Sequence, residues 1–558
     1  MAEITADSMA APTTGASLRM VVAASALGAT FEWYDFFVFG SLTQVISKTF
    51  FSGLNETAGY IAALALFGAG FAFRPVGALA FGRIGDRVGR KGAFLVTVAL
   101  MGAATVAIGL LPSYATAGVI APILLLLMRI LQGFSLGGEY GGAATYVCEH
   151  APDDARGRAT SWVQTAAAFG LFGALLVILG TRMALGRWFG PTAFDSWGWR
   201  IPFLMSSALL AVSIFIRMKL TESPTFEAMK AKGAQSAGPY AEAFGQWKNL
   251  KVVLLALGGI MFAQGAVWYT AFFYVQTFME KFLKVDPATI NGLMMAIVAA
   301  SAPLYVFFGW LSDKVGRKPV LLFGMALMLV AYFPGFHMLA KTLNPALAEA
   351  AASAPATVIA DPADCALQFD PVGKASFTSS CDIAKSALAN AGVSYVNQAG
   401  TPGQLAMVRV GLATIPSLDA RNLPKDVAKA IKTSVETKIK EGLARAGYPE
   451  KADPKRMNLT GAFAVLMVFV VASTALFGPI ASCLVELFPT RIRYTALSLP
   501  YHIGTGWVGG FVPFTAFAIV AAVGDIYAGL WYPFAFTLIS VLVTLFLLPE
   551  TRHRSLDG

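Results

Sequence analysis

Apolar residues run along this chain in blocks of about twenty, long enough to cross a hydrocarbon core as helices. Such blocks lie near 20–42, 58–81, 92–112, 119–146, 160–182 and 199–219, then near 251–280, 290–311, 319–340, 459–485, 494–522 and 526–548. The runs are too long for strands, and period-two alternation is absent. The pattern therefore predicts an all-α integral membrane protein of about twelve helices, with an N-terminal six-helix half (1–219) and a C-terminal one (251–558). A charged cytoplasmic linker, 220–250, joins them, and a polar insert, 341–458, separates the ninth and tenth helices.

Composition agrees with that pattern. The 558 residues are 56% hydrophobic and 13% charged, with a mean hydropathy of +0.63. Soluble domains carry about 25% charge. The net charge of +10 raises the question of nucleic-acid binding. Its distribution answers it, because the bases gather in alternate loops, which is the positive-inside pattern of a multi-pass protein. Arg83, Arg87, Arg90, Lys91, Arg156, Arg158, Lys314, Arg317, Lys318, Arg491 and Arg493 fall on one side with the linker. The other side has few: Lys48, Arg182, Arg187, Lys281 and Lys284. The expected orientation puts both termini in the cytoplasm and the insert outside. The polar "MAEITADSMAAPTTGASL" lacks the basic start of a secretory signal and is expected to stay cytoplasmic.

Two charged decapeptides interrupt the apolar pattern at matched places. "GRIGDRVGRK" occupies 82–91 and "GWLSDKVGRK" occupies 309–318, each after the second helix of its half. This internal repeat is typical of secondary transporters. Asp86, Arg90 and Lys91, with Asp313, Arg317 and Lys318, are expected to pair across neighbouring helix ends and latch one conformational state. One copy alone would read as a solvated loop; two at matched positions favour the latch.

These motifs resemble the signature loop of the major facilitator superfamily. "FEWYDFFVFG" (31–40), "FRPVGALAFGRIGDRVGRK" (73–91), "RILQGFSLGGEYGGA" (129–143), "GWRIPF" (198–203), "ELFPTRIRYTALSL" (486–499) and "LPETRHRSL" (548–556) resemble its metabolite:proton symporter branch. The resemblance spans nearly the whole chain except the region near 341–458. It implies a proton-coupled carrier of a dicarboxylate, citrate, an aromatic acid such as shikimate, or a zwitterion such as proline or betaine. Osmosensing relatives carry a C-terminal coiled coil; no heptads follow "PETRHRSLDG", which weighs against an osmoprotectant carrier.

Several polar residues stand inside apolar spans. Glu32 and Asp35 are three apart on the first, so they share a helix face. Charge at that depth is costly and faces a cavity or a partner. Two close acids suit proton carriage; either could instead cap a helix or pair with an arginine. Arg74 lies midway along the second span and can bind a carboxylate in bidentate fashion, or pair internally with Asp35 or Glu32. Arg200 is expected either to reach the ligand or to anchor at the membrane interface. Arg129, with Gln132, resembles the superfamily's proton-transfer motif. Glu139 is read as a structural partner of Arg129 or of an inner-loop base. His502 stands where the family more often has Asn, and is expected either to titrate or, neutral, to be held by hydrogen bonds. Tyr34, Tyr269, Tyr501 and His502 are candidate lining groups, as are Trp268 and Tyr274, although most aromatics at helical spacing only pack.

Other signals carry less. "GTGWVG" (504–509) fits a dinucleotide-loop pattern, but no strand precedes it. No P-loop, no zinc-binding pattern and no catalytic constellation is present, so no enzyme activity, metal or cofactor is expected. Cys365 and Cys381 lie in the insert, where an outer location would favour a disulfide. Residues 423–450 predict an amphipathic helix, with Val427, Ile431, Val435, Ile439 and Leu443 every fourth position. The insert is expected to form a small cap that stabilises its loop.

The sequence thus predicts a monomeric bacterial inner-membrane carrier in contact with lipid, bringing in a small organic acid with protons by alternating access. A zwitterion symporter is the alternative. A transporter-like sensor is the reading from another class, disfavoured by the lack of a cytoplasmic signalling domain.

Overall fold

A computed structural model describes residues 15–52, 56–218, 222–366 and 377–556. The expectation for the first residues of the chain therefore lies outside the described residues. Six helices form the first half: α1 (Gly15–Ser41), α2 (Glu56–Arg87), α3 (Arg90–Leu110), α4 (Ile120–His150), α5 (Arg156–Phe189) and α6 (Arg200–Met218). Six more form the second: α7 (Trp247–Phe282), α8 (Pro287–Val315), α9 (Arg317–Leu343), α10 (Leu459–Leu487), α11 (Arg493–Val520) and α12 (Ala528–Phe546). Ten of the twelve are long and apolar enough to span a membrane. The other two, α1 and α2, are 27 and 32 residues long and carry Glu32, Asp35 and Arg74.

Within a half, α1 packs on α5, α2 on α4, and α9 on α10; the halves meet along α5 with α8 and α2 with α11. Small residues permit the closest approaches, as is usual between membrane helices. A Cβ on Gly77 of α2 would lie 1.8 Å from the Phe134 carbonyl oxygen of α4, and one on Gly133 of α4 would lie 2.0 Å from that of Gly70. Helix α7 contains π-helical turns at Leu257–Met261, Thr270–Tyr274 and Phe278–Phe282, and α11 one at Ile503–Gly509. The glycine pattern at 504–509 is therefore a widened turn inside a buried helix. Such turns recur at functional sites.

The insert holds more than the one amphipathic helix read from its sequence. Strands β1 (Ala356–Ala360), β2 (Tyr395–Ala399), β3 (Met407–Val410) and β4 (Ala413–Pro416) form a sheet in the order β2-β1-β3-β4. β1 and β2 are parallel, and the other pairs are antiparallel. Strands of four or five residues are too short to stand out by alternation. Helix Ser380–Asn390 links β1 to β2, and helix Lys425–Arg445 covers the sheet. Val435, Ile439 and Leu443 of that second helix are buried, whereas Val427 is exposed. Cys365 and Cys381 form a disulfide.

Hydrogen bonds tie the insert to the second half alone among the described residues. Asn344 donates to the Leu283 carbonyl at 2.9 Å and Ala452 to that of Lys284 at 3.1 Å, at the end of α7. Asn397 donates to Val523 at 2.8 Å, and Tyr395 to Gly524 at 2.5 Å, beyond α11. All four lie at the end of the bundle opposite the charged decapeptides.

Candidate functional site

A cavity of about 40 Å³ lies between the halves. It has room for about three water molecules. From the first half it is lined by Glu32, Trp33, Arg74, Glu139, Tyr140 and Gln164. The second half contributes Gln264, Trp268, Tyr269, Phe477, Tyr501 and His502. Aromatic contacts narrow it. Tyr140 stacks on Tyr501 across the halves with centroids 3.5 Å apart, and Trp33 meets Trp268 at 5.9 Å. Beyond Trp268 a wider cavity of about 400 Å³ opens between α1 and α5 on one side and α7 and α8 on the other. Trp268, whose indole N–H donates to Tyr305 at 3.1 Å, is shared by both spaces and divides them.

Arg74 stands in the inner cavity without an ion pair among the described residues. Its guanidinium lies 4.2 Å from the Phe71 ring and 5.0 Å from that of Phe36, with the Tyr269 hydroxyl as its polar neighbour. Its Nε and Nη2 have no hydrogen-bond partner. The internal pairing with Asp35 or Glu32 considered from sequence is absent, because both acids are engaged elsewhere.

Glu32 pairs with Arg217 of α6 at 2.6 Å. Arg217, which the sequence places among the inner-loop bases, is buried, and its Nη1 lies 3.8 Å from Glu139. Gly28 makes room for it: a Cβ there would stand 2.2 Å from Nη2. Glu139 is thus a neighbour of Arg217 rather than of Arg129, and neither of its oxygens accepts a hydrogen bond among the described residues. Asp35 turns away toward α3 and α6, where Ser206 donates to it at 2.5 Å and Thr105 is a second hydroxyl neighbour. A buried polar chain continues from Thr105 to Gln132 (2.8 Å) and from Gln132 to Arg129 (2.7 Å). Glu32, at the cavity, and Asp35, inside the first half, are therefore parted by less than one turn of helix, with Trp33 and Tyr34 between them.

The other lining candidates divide. Tyr269, Tyr501 and His502 line the cavity. Arg200 does not. It sits on Trp199 at the start of α6, and its guanidinium donates to the Gly109 and Leu111 carbonyls at 2.9 and 2.6 Å. Tyr34 is also spent elsewhere, donating to the Pro202 carbonyl at 2.8 Å. Tyr274 is buried outside the lining.

At the opposite end the decapeptides form a reciprocal clasp. Asp86 pairs with Arg90 and accepts from the backbone N–H of Tyr494 (3.2 Å) and Thr495 (2.8 Å), at the start of α11. Asp313 pairs with Arg317 at 2.6 Å and accepts from the backbone N–H of Gly157 and Arg158, both at 2.7 Å, at the start of α5. Each acid of one half therefore caps a helix of the other, where the dipole favours negative charge. The expected acid–base pairs form between neighbouring helix ends within each half, Asp86 with Arg90 and Asp313 with Arg317, while across the halves each acid meets a helix start. Lys91 and Lys318 belong to their own halves, reaching the carbonyls of Met218 and of Leu545 and Leu548. Across the halves Glu149 pairs with Arg493 at 2.7 Å and Glu486 with Arg156 at 3.9 Å, which completes the clasp, while Glu486 also holds Arg317 of its own half at 3.0 Å. A sequence signal for these existed: the spacing Glu149–Pro152–Arg156 recurs as Glu486–Pro489–Arg493.

Comparison with known proteins agrees with this architecture. The profile of the family described as "Sugar (and other) transporter" matches residues 20–241 and 446–558, and that of "MFS/sugar transport protein" matches 143–367. The glycine betaine/proline/ectoine/pipecolic acid transporter OusA of Dickeya dadantii is 34% identical over 334 residues, 58% of this chain and 65% of that protein. The proline/betaine transporter of Escherichia coli K12 has the same identity and coverage. A putative proline/betaine transporter of Staphylococcus haemolyticus is 35% identical over 58% of this chain and 68% of its own length. The chain thus spans about two thirds of these relatives. The structure of the proton:xylose symporter XylE with 6-bromo-6-deoxy-D-glucose has a TM-score of 0.63 at 15% identity, covering 98% of both chains. The family is one of transporters, not enzymes. By its matched profile, its paired six-helix halves and its repeated decapeptides, the chain belongs to the sugar (and other) transporter family within the major facilitator superfamily.

Proposed function

We propose that the protein is a proton-coupled symporter of a small carboxylate-bearing zwitterion, such as proline or a betaine, in the bacterial inner membrane. The observation that carries this reading is Arg74, a buried guanidinium with two unpaired nitrogens in a cavity between the halves. Such a group binds a carboxylate through paired hydrogen bonds. The relatives named for proline, betaine and ectoine turn the expectation from a simple organic acid to a zwitterion.

In the proposed cycle the present conformation has its cytoplasmic side clasped and its outer cavity separated from the site by Trp268. Substrate enters as the aromatic contacts part, and its carboxylate meets Arg74. A proton rides on Asp35 or Glu32, with Arg129 joined to Asp35 through Gln132 and Thr105. The halves then rock about the site, the Asp86 and Asp313 caps release, and the cargo leaves inward. The molecule acts as a monomer in lipid, with both termini cytoplasmic and the insert outside.

Uptake into proteoliposomes with an imposed pH gradient tests this. The panel holds proline, betaine, a dicarboxylate, citrate and an aromatic acid. Gradient-driven accumulation of a zwitterion is expected. Accumulation of an acid alone restores the organic-acid reading, and transport without dependence on the gradient removes proton coupling.

A further inference from the structure

Glu139 is 2% exposed, faces the central cavity from α4, and has two carboxylate oxygens with no hydrogen-bond partner among the described residues. Arg217 comes within 3.8 Å of Oε1, but its Nη2 is committed to Glu32 at 2.6 Å. A buried carboxylate without donors is costly until something brings it positive charge or a proton. In the same cavity Arg74 is a buried cation without an acid. Arg217 is shared by Glu32 at 2.6 Å and Glu139 at 3.8 Å, so one cation serves two acids. What is left over is the Arg74 cation on α2 and one negative charge held chiefly at Glu139 on α4, the charge complement of a zwitterion. A dicarboxylate would set its second anion against Glu139.

We infer that Glu139 is the subsite for the substrate's cationic nitrogen and selects zwitterions whose nitrogen carries N–H. This rests on the symport of a zwitterion proposed above and adds which zwitterions are favoured. An ammonium with N–H groups donates directly to the two free oxygens. A trimethylated nitrogen has no proton to donate and is held by aromatic faces instead. Trp33, Trp268, Tyr140 and Tyr501 line the same cavity and offer those faces. Loss of the carboxylate therefore falls on proline far more than on betaine.

The test measures equilibrium binding of proline and of glycine betaine to the purified full-length protein, by intrinsic fluorescence, for wild type, Glu139→Gln and Glu139→Asp. Trp33 and Trp268 in the cavity wall supply the signal, and no proton gradient is needed. Glu139→Gln is expected to weaken proline about tenfold or more while betaine changes less than about threefold, because a charged hydrogen bond is lost for one ligand only. Glu139→Asp keeps the charge one methylene back and falls between. Equal weakening of both ligands with a lowered melting temperature would make Glu139 structural and overturn the inference. Unchanged binding with loss of gradient-driven uptake would make it a proton carrier, which overturns it too. If wild type binds neither zwitterion, the parent reading fails first and this one with it. If Glu139→Gln does not fold, the proline-to-betaine ratio of Glu139→Asp decides: an unchanged ratio sinks the inference.

Discussion

The Asp313 carboxylate, on the second half of the chain, accepts the backbone N–H of Gly157, on the first, at 2.7 Å. Its other oxygen takes Arg158 N–H at the same distance, so one side chain closes the seam between the halves over the start of α5. A charge-assisted hydrogen bond contributes about 1.5–3 kcal/mol. Asp313→Asn keeps the shape but loses the charge and one acceptor. The inward-facing population is expected to rise about tenfold or more. Cys148 and Cys483 are buried near this seam, so their maleimide labelling reports it. Labelling as slow as in wild type would show that the cap does not hold the seam.

Arg74→Lys keeps a positive charge in the central cavity. A lysine is a point donor and cannot present the planar fork of a guanidinium. The Michaelis constant for the zwitterion should rise about tenfold with the maximal rate less affected. An unchanged constant would remove Arg74 from the carboxylate subsite.

Glu550 follows α12 and accepts four backbone N–H groups, those of Arg317, Lys318, Thr551 and Arg552, at 2.9–3.0 Å. Partial burial pushes its carboxyl up, but the four N–H groups outweigh it and hold the group below the usual range. A folded-state value below the unfolded one stabilises the protein above the unfolded value, about 4.3. That stabilisation is lost as pH falls through the folded value. Glu550→Gln should therefore lower the melting temperature by about 1 or 2 °C at pH 7. The gap should close in acid. A gap that persists there would assign the effect to shape rather than charge.

The Cys365–Cys381 bridge closes a 16-residue separation in the insert. Loss of such a bridge costs about 3 kcal/mol. Labelling of either thiol should require reductant, and the double serine variant should be cut faster within 341–458 by protease. Because the insert's hydrogen bonds among the described residues reach the second half alone, substrate affinity at Arg74 is expected to stay within about twofold. A large fall in affinity would tie the insert to the site.

The spanning helices could be read from the chain because bilayer thickness sets one length and one polarity for each. The repeated decapeptides and the buried positions of Glu32, Asp35, Arg74 and Arg129 were legible for a related reason: charge inside an apolar run is costly and therefore marks itself. The partners were not legible. Arg217 reads as an ordinary inner-loop base until α6 lays it between Glu32 and Glu139. Arg200 reads either as a ligand group or as an interface anchor until its guanidinium is found on two carbonyls. The short strands of the insert, with four or five residues each, leave no periodic trace.

By itself the sequence determined the all-α membrane class, the two-half repeat, the charged seam and which residues were too polar to sit in lipid. Only the tertiary structure decided how those polar groups divide. Glu32 turns to Arg217, which also comes within 3.8 Å of Glu139, Asp35 turns to Ser206 and Thr105, and Arg74 faces the same cavity with no acid beside it among the described residues. The reason is physical: burial cost depends on residue type and depth and is written along the chain, whereas pairing depends on which helix faces meet, and that is settled only when α1, α2, α4 and α6 pack together.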